Sequence, residues 1–255
     1  MSSDKEELIL SRRFMDLADT ASKQGNYVFS DFLNLNEQSI FLNLKHELPK
    51  IKYFSFGGYQ DAERKMLCFY NDNYINNDEI GFPIDIIKIQ PLNRKYSDKL
   101  THRDFLGAIL SLGIDRAKIG DILIQDNEGY LFSTDKISEF IVRNLTMIKR
   151  TMVEANIIVK DEFSYKPKFE EKRGSVSSIR LDSILSVACK GSRSSLSNLI
   201  KQGKVFVNSK VILSNSYVLE ENDLVSVRGV GKFIYLGILG KSKKGRYIIS
   251  VKLYI

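Results

Sequence analysis

Residues Gly191–Val211 read GSRSSLSNLIKQGKVFVNSKV, and the interpretation of this stretch decides that of the chain around it. Ser192 is a favourable N-cap, and a helix that begins there leaves backbone N–H groups of its first turn at the positive end of its dipole, where a phosphate can be received. Leu196, Leu199 and Ile200 form a stripe to be buried, while Arg193, Ser197, Lys201 and Lys204 follow one another along the neighbouring side at spacings of four, four and three. One side packs and the adjacent side is basic. Gly203 ends the helix, and KVFVNSKVIL then alternates, so that Val205 and Val207 share a face and Asn208–Ser209–Lys210 turns the chain.

Working outward, RLDSILSVA at 180–188 is a second short helix whose Leu181, Ile184, Leu185 and Ala188 face the first, with Arg180 at its start and Lys190 beyond its end. Arg180, Lys190, Arg193, Lys201, Lys204 and Lys210 are therefore expected to converge on one surface. Arg180 and Arg193 are the candidates for bidentate phosphate contacts, the four lysines for point charges, and Ser192, Ser194 and Asn208 for polar donors. The charge distribution agrees. Residues 180–255 hold 13 Lys/Arg against 4 Asp/Glu, a net +9, whereas residues 1–179 hold 25 against 27. A surplus concentrated in this way suits a polyanionic partner.

The stretch RLDSILSVACKGSRSSLSNLIKQGKVFVNSKVI, with the later ENDLVSVRGVGKF, resembles the small RNA-binding domain named after ribosomal protein S-four, also called the alpha-L motif, over about residues 180–233. It departs from that family at Ser209, where glycine is usual after the Asn. Upstream, GGYQDAERKM and HRDFLGAILSLGIDRAKIGDI resemble the N-terminal and middle domains of the bacterial YlmH family, in the same order ahead of the same C-terminal domain. The resemblance implies a ribosome-associated protein acting on large subunits obstructed by peptidyl-tRNA, in the quality-control pathway that adds C-terminal alanine tails. It also implies rRNA and tRNA contacts through Arg180, Arg193 and their basic neighbours.

The expected fold is α+β in three small modules. Residues 1–82 read as an N-terminal α/β domain: a helix carrying Phe14, Leu17, Ala18 and Ala21, a second from about Asn36 to Pro49, and two strands, IKYFSF and RKMLCFY, joined through Gly57–Gly58. That glycine pair is expected to serve a turn before any phosphate. Residues 83–160 read as βαββαβ, the order of the ferredoxin-like sandwich found in many RNA-binding modules. Only Tyr130 and Phe132 are placed to stack bases there, and the first strand has no aromatic, so the sheet is expected to be a scaffold. Residues 161–178, DEFSYKPKFEEKRGSVSS, read as a linker, and 179–255 as the S-four-like domain.

Other chemistry finds little support. His102–Arg103–Asp104 matches a kinase catalytic loop, but Ile109 stands where its asparagine belongs, and Asp104 is expected to cap or flank a helix. IRLD ending at Asp182 resembles the aspartate loop of pseudouridine synthases, with only 73 residues following it. With His46 and His102 the only histidines, and His46 expected on a helix surface, no triad or metal cluster is expected. Cys68 and Cys189 are expected to be reduced, since they form no C-x-x-C pairing. No long apolar run and no leader is apparent, so a cytoplasmic protein that does not engage a membrane is expected; a monomer is the default, and no cofactor or metal is expected. The alternatives are an RNA-modifying enzyme such as a pseudouridine synthase, and a cell-division-associated interaction protein.

Overall fold

A computed structural model describes residues 2–71, 80–163 and 165–255; 72–79, in the expected first module, and Ser164, in the expected linker, lie outside the described residues. The chain forms two compact units, 1–165 and 166–255, so the first two expected modules are one body.

In the first unit, helix α1 (Ser2–Gln24) buries Phe14, Ala18 and Ala21 at helical spacing, and Gly25 closes it at φ +67° by donating its N–H to the Ala21 carbonyl at 3.0 Å. Helix α2 (Leu35–Leu44) begins in a capping box: the Asn34 Oδ1 accepts from the N–H of Glu37 at 3.1 Å, and the Glu37 carboxylate accepts from the N–H of Asn34 at 2.6 Å. The helix stops earlier than expected, and His46 is exposed in the turns that follow it instead of on the helix. Strands β1 (Val28–Phe29), β2 (Lys52–Phe56) and β3 (Met66–Tyr70) form an antiparallel sheet in the order β1-β3-β2.

The central part follows the βαββαβ order: β4 (Ile84–Pro91), α3 (His102–Leu110), β5 (Ile119–Gln125), β6 (Glu128–Thr134), α4 (Asp135–Asn144), the short β7 (Met147–Ile148) and β8 (Thr151–Ile158). The sheet order β5-β6-β4-β8-β7, antiparallel throughout, is the ferredoxin-like arrangement with one added edge strand. Asp126 and Asn127, at φ 53° and 66°, form the two-residue turn between β5 and β6. Asp104 caps α3, as expected, its carboxylate accepting from both the N–H and the hydroxyl of Thr101 at 2.8 and 2.6 Å. On one sheet face Phe105 and Ile109 of α3 and Ile141 of α4 pack onto Ile87, Ile89 and Leu131.

The opposite face is closed by the N-terminal part. Phe132 is 0% and Tyr130 4% exposed, in a cluster with Phe32 and Met66, and the Tyr59 ring stacks on Phe132 with centroids 5.1 Å apart. The aromatic third strand is thus spent on packing, in agreement with its expected scaffold role. The joint is riveted at Asp121, which accepts from the Tyr59 hydroxyl (2.8 Å) and the backbone N–H groups of Glu63 (2.7 Å) and Arg64 (3.0 Å). The Arg64 guanidinium donates to the carbonyls of Ile119, Phe32 and Arg116 at 2.8–3.1 Å. Arg116 adds bonds to the carbonyls of Ile119 and Gly120; its burial, reinforced by the Arg64 charge, pushes its pKa down to about 10. Gly58 serves the joint and not a phosphate: at φ +97° it approaches so closely that a Cβ would lie 2.2 Å from the Phe132 ring.

The second unit is a six-stranded antiparallel sheet with two helices. In chain order it runs β9 (Phe169–Val176), α5 (Leu181–Ala188), α6 (Arg193–Lys201), β10 (Val205–Val207), β11 (Lys210–Val211), β12 (Leu224–Val227), β13 (Gly231–Lys241) and β14 (Tyr247–Tyr254). The sheet order is β11-β10-β12-β13-β14-β9. The linker expected over 161–178 is corrected here: β9 pairs with β14 along its whole length, from Phe169↔Tyr254 to Val176↔Tyr247. Its only buried residue is Val176, because it is an edge strand with charged side chains facing water. Leu181, Ile184, Leu185, Leu196 and Ile200 pack with Val205, Val207, Phe233, Ile249 and Val251 in the core. Burial pushes the Cys68 thiol up to about 12 and, against the pull of Lys172, the Cys189 thiol up to about 11; both are free cysteines.

Candidate nucleic-acid interface

Helix α6 is built as its sequence dictates. The Ser192 Oγ accepts from the N–H of Ser195 at 3.2 Å, and Leu196 and Ile200 turn inward. The cap is shared among three serines: Ser192 Oγ lies 3.0 Å from Ser194 Oγ and 3.1 Å from Ser195 Oγ. One first-turn N–H is therefore satisfied internally, while those of Arg193 and Ser194, at N1 and N2, remain at the open end of the helix with exposed side chains beside them. Lys190 is exposed on the approach to this end.

Asn215 gathers the neighbouring side. Its Nδ2 donates to Ser197 Oγ at 2.7 Å, midway along α6, and its carbonyl accepts the N–H of Asp182 at 3.3 Å, at the start of α5. The beginning of α5 thus meets the side of α6 on which Arg193 and Lys201 lie one turn either way from Ser197. Arg180, the residue before α5, engages Asp182 with both arms of its fork, Nε to Oδ1 at 3.2 Å and Nη2 to Oδ2 at 3.1 Å. Its bidentate geometry is already occupied by a carboxylate. Lys190, Arg193, Lys201, Lys204 and Lys210 are exposed, and none of the five meets a carboxylate among the described residues.

The hairpin after α6 explains Asn208. Asn208 and Ser209 lie at φ 49° and 68°, the left-handed pair of a two-residue turn between Val207 and Lys210. The Asn208 amide is committed to the fold: Nδ2 donates to Asp223 Oδ1 at 2.7 Å and Oδ1 accepts the N–H of Leu224 at 3.0 Å, while Asp223 also accepts the N–H of Glu220 at 2.8 Å. The expected polar donor is a latch instead. Arg180, Arg193 and Lys201 are linked through Asn215 and Ser197, Lys190 flanks the serine cap, and Lys210 stands on the edge strand β11. Lys204 acquires a neighbour not singled out from the sequence, since its carbonyl accepts the N–H of exposed Arg228 at 2.9 Å. The signal was an arginine one residue past β12, whose Val227 pairs with Val205. The β13–β14 turn adds exposed Lys243 and Lys244, whereas Arg246 spends its guanidinium on Ser175.

No helix among the described residues is long and apolar enough to cross a membrane.

Comparison with known proteins matches three segments of the chain in order, two within the first unit and one within the second. Residues 6–74 match the family model described as YlmH, N-terminal, residues 78–162 the putative RNA-binding domain in YlmH, and residues 179–225 the S4 domain. The structure of cell division protein ylmH from Streptococcus pneumoniae is similar in fold, with a TM-score of 0.50 at 18% identity over 62% of this chain and 93% of that one. The ribosome-associated protein quality control protein P2 of Bacillus subtilis (strain 168) is 30% identical over 250 residues, which span 96% of this chain and 95% of that protein. A likeness that runs through both units and keeps the three matched segments in order leaves one assignment: the chain belongs to the YlmH family.

Proposed function

We propose that this protein binds RNA through the second unit and works on the ribosome in quality control, by binding and not by turnover. The observation that carries this reading is the set of exposed cations around α6 that meet no carboxylate within the described chain, in the segment matched by the S4 domain. Exposed arginine and lysine that meet no carboxylate are available for phosphate. Arg193 leads, with Lys201 at the far end of α6 and Lys204 just before β10, Lys190, Ser192 and Ser194 at the open end of the helix, and Lys210 at the hairpin. Arg180 reaches a phosphate only by exchanging Asp182 for it.

The finer reading follows the resemblance. The target is the large ribosomal subunit, with contacts to rRNA and to tRNA, in subunits obstructed by peptidyl-tRNA, and the outcome is support of C-terminal alanine tailing. The protein acts in the cytoplasm as a monomer and needs no cofactor. The relative's name as a ribosome-associated quality-control protein supports this reading. Sedimentation of the full chain with ribosomal subunits through a sucrose gradient tests it. Co-migration with large subunits, strengthened by bound peptidyl-tRNA, is expected; protein that stays at the top of the gradient with every subunit preparation contradicts it.

A further inference from the structure

The first unit is acidic, with 21 Lys/Arg against 25 Asp/Glu over residues 1–165, yet residues 92–103, LNRKYSDKLTHR, hold four Lys/Arg against one Asp. This segment joins β4 to α3 and is fastened from two hairpins. Asn127 of the β5–β6 turn donates to Ser97 Oγ and to the Asp98 carbonyl, both at 2.9 Å, and accepts the N–H of Leu100 at 2.8 Å. Thr151 of β8 accepts the N–H of Asp98 at 2.9 Å. Immediately before these anchors Arg94–Tyr96 makes one 3-10 turn, capped by Asn93, and the Ser97 hydroxyl donates back to the Arg94 carbonyl at 3.0 Å. Arg94 pairs with Glu128. Tyr96, in contrast, is 77% exposed, and the Lys95 ammonium lies 5.6 Å from its ring centroid. A loop held this firmly presents an aromatic ring to solvent at little ordering cost on binding.

The same end of the sheet is open. Leu92 continues β4 on the face that carries Ile86 and Phe132, and its N–H donates to the Met152 carbonyl at 3.0 Å; Met152 pairs in register with Met147. All three side chains are more than half exposed. The N-terminal part covers Tyr130 and Phe132 and leaves this row uncovered, so the sheet face on which such modules stack bases is closed at its aromatic centre while its apolar residues at this end remain exposed.

We propose, on the footing of the RNA-binding reading above, that this end of the first unit is a second RNA contact: an unpaired base stacks on Tyr96 against the Leu92–Met152 row, with exposed Lys95 and Lys99, and exposed Arg150 beside the Thr151 that holds Asp98, taking the flanking phosphates. Charge selects the partner. Lysines grouped beside an exposed ring in an otherwise acidic unit complement a polyanion whose bases offer a flat face, which a single-stranded or looped nucleic acid offers and a duplex does not; the RNA-binding reading above makes it RNA.

The chain has no tryptophan, so Tyr96→Trp creates a unique fluorescent reporter in the full-length protein. Emission is expected to be quenched by a single-stranded RNA of about 12 nucleotides and not by the duplex of the same sequence. Tyr96→Ala should weaken binding of that oligonucleotide about 5- to 50-fold, and Tyr96→Phe should restore it to within about twofold, since the ring stacks and the hydroxyl does not. Unchanged Trp emission at saturating RNA, or equal quenching by the duplex, overturns the inference. If Arg193→Ala still weakens binding in that case, the RNA-binding reading of the second unit survives. If the parent chain binds no RNA, both fall. Quenching by intact large subunits but not by the RNA extracted from them assigns the surface to a protein and also overturns it.

Discussion

The two units employ the same residue types for opposite ends. In the first, Arg64 and Arg116 are turned inward onto backbone carbonyls, and Tyr130 and Phe132 are sealed beneath Tyr59. In the second, Arg193, Lys201 and Lys204 face water beside a helix whose apolar stripe is already satisfied by the core. An arginine or an aromatic ring in a sequence does not announce a binding site; what decides is whether the fold has already supplied its partner. Substitutions at these buried positions of the first unit should therefore cost stability and spare RNA binding through the second, and substitutions around α6 should do the reverse.

The sharpest break of that contrast is Asp121→Ala. It leaves the Tyr59 hydroxyl and two backbone N–H groups without their acceptor and should destabilise the first unit by about 3 kcal/mol in urea unfolding. RNA affinity measured well below the transition should be unchanged; a loss there would show that the riveted joint takes part in recognition. Asn208→Ala removes the hairpin latch and leaves Asp223 Oδ1 and the Leu224 N–H without their partner, for about 2 kcal/mol of second-unit stability in the same measurement. A neutral result would return Asn208 to the list of outward-facing donors. The double variant Lys201→Ala/Lys204→Ala should weaken RNA binding about tenfold, or about 1.4 kcal/mol, with stability within about 0.5 kcal/mol of the parent. Ser209→Gly relieves a left-handed serine and should raise second-unit stability by about 1 kcal/mol or less, visible as a higher melting temperature.

The smallest effect separates capping from catalysis at Asp104. Hydrogen bonds from Lys149 and from Thr101 hold its carboxyl down at about 2. A carboxyl depressed on folding stabilises the folded chain above its ordinary pKa of about 3.9, and that contribution is lost as pH falls from about 4 through 2. NMR titration of the Asp104 carboxyl should give a midpoint near 2, and an ordinary midpoint would remove the capping account.

Much of this was legible in sequence because it is local. Ser192, the Leu196–Ile200 stripe and Gly203 marked out α6, and the βαββαβ order followed from alternating periods, since caps and periodicity act within a few residues. The failures are non-local or weakly patterned. Strand β9, with only Val176 buried, has no apolar alternation, so FEEKRGSV reads as linker until β14 is beside it. The two-residue β1 is too short to leave a pattern. The fusion of the first two modules depends on Asp121 meeting Tyr59, 62 residues away. At the site, charge and spacing found the cations of α6, but not that Arg180 grips Asp182, that Asn208 is spent on Asp223, or that Arg228 lies beside Lys204, because each requires knowing which strands and loops adjoin.

The salt dependence of RNA binding tests the central claim most directly. If about four cations around α6 each neutralise a phosphate, the logarithm of the affinity of the full-length chain for an rRNA fragment should fall against log salt with a slope of roughly −3, and Arg193→Ala should flatten it by about one unit. A slope near zero, or one that Arg193→Ala leaves unchanged, would contradict the account.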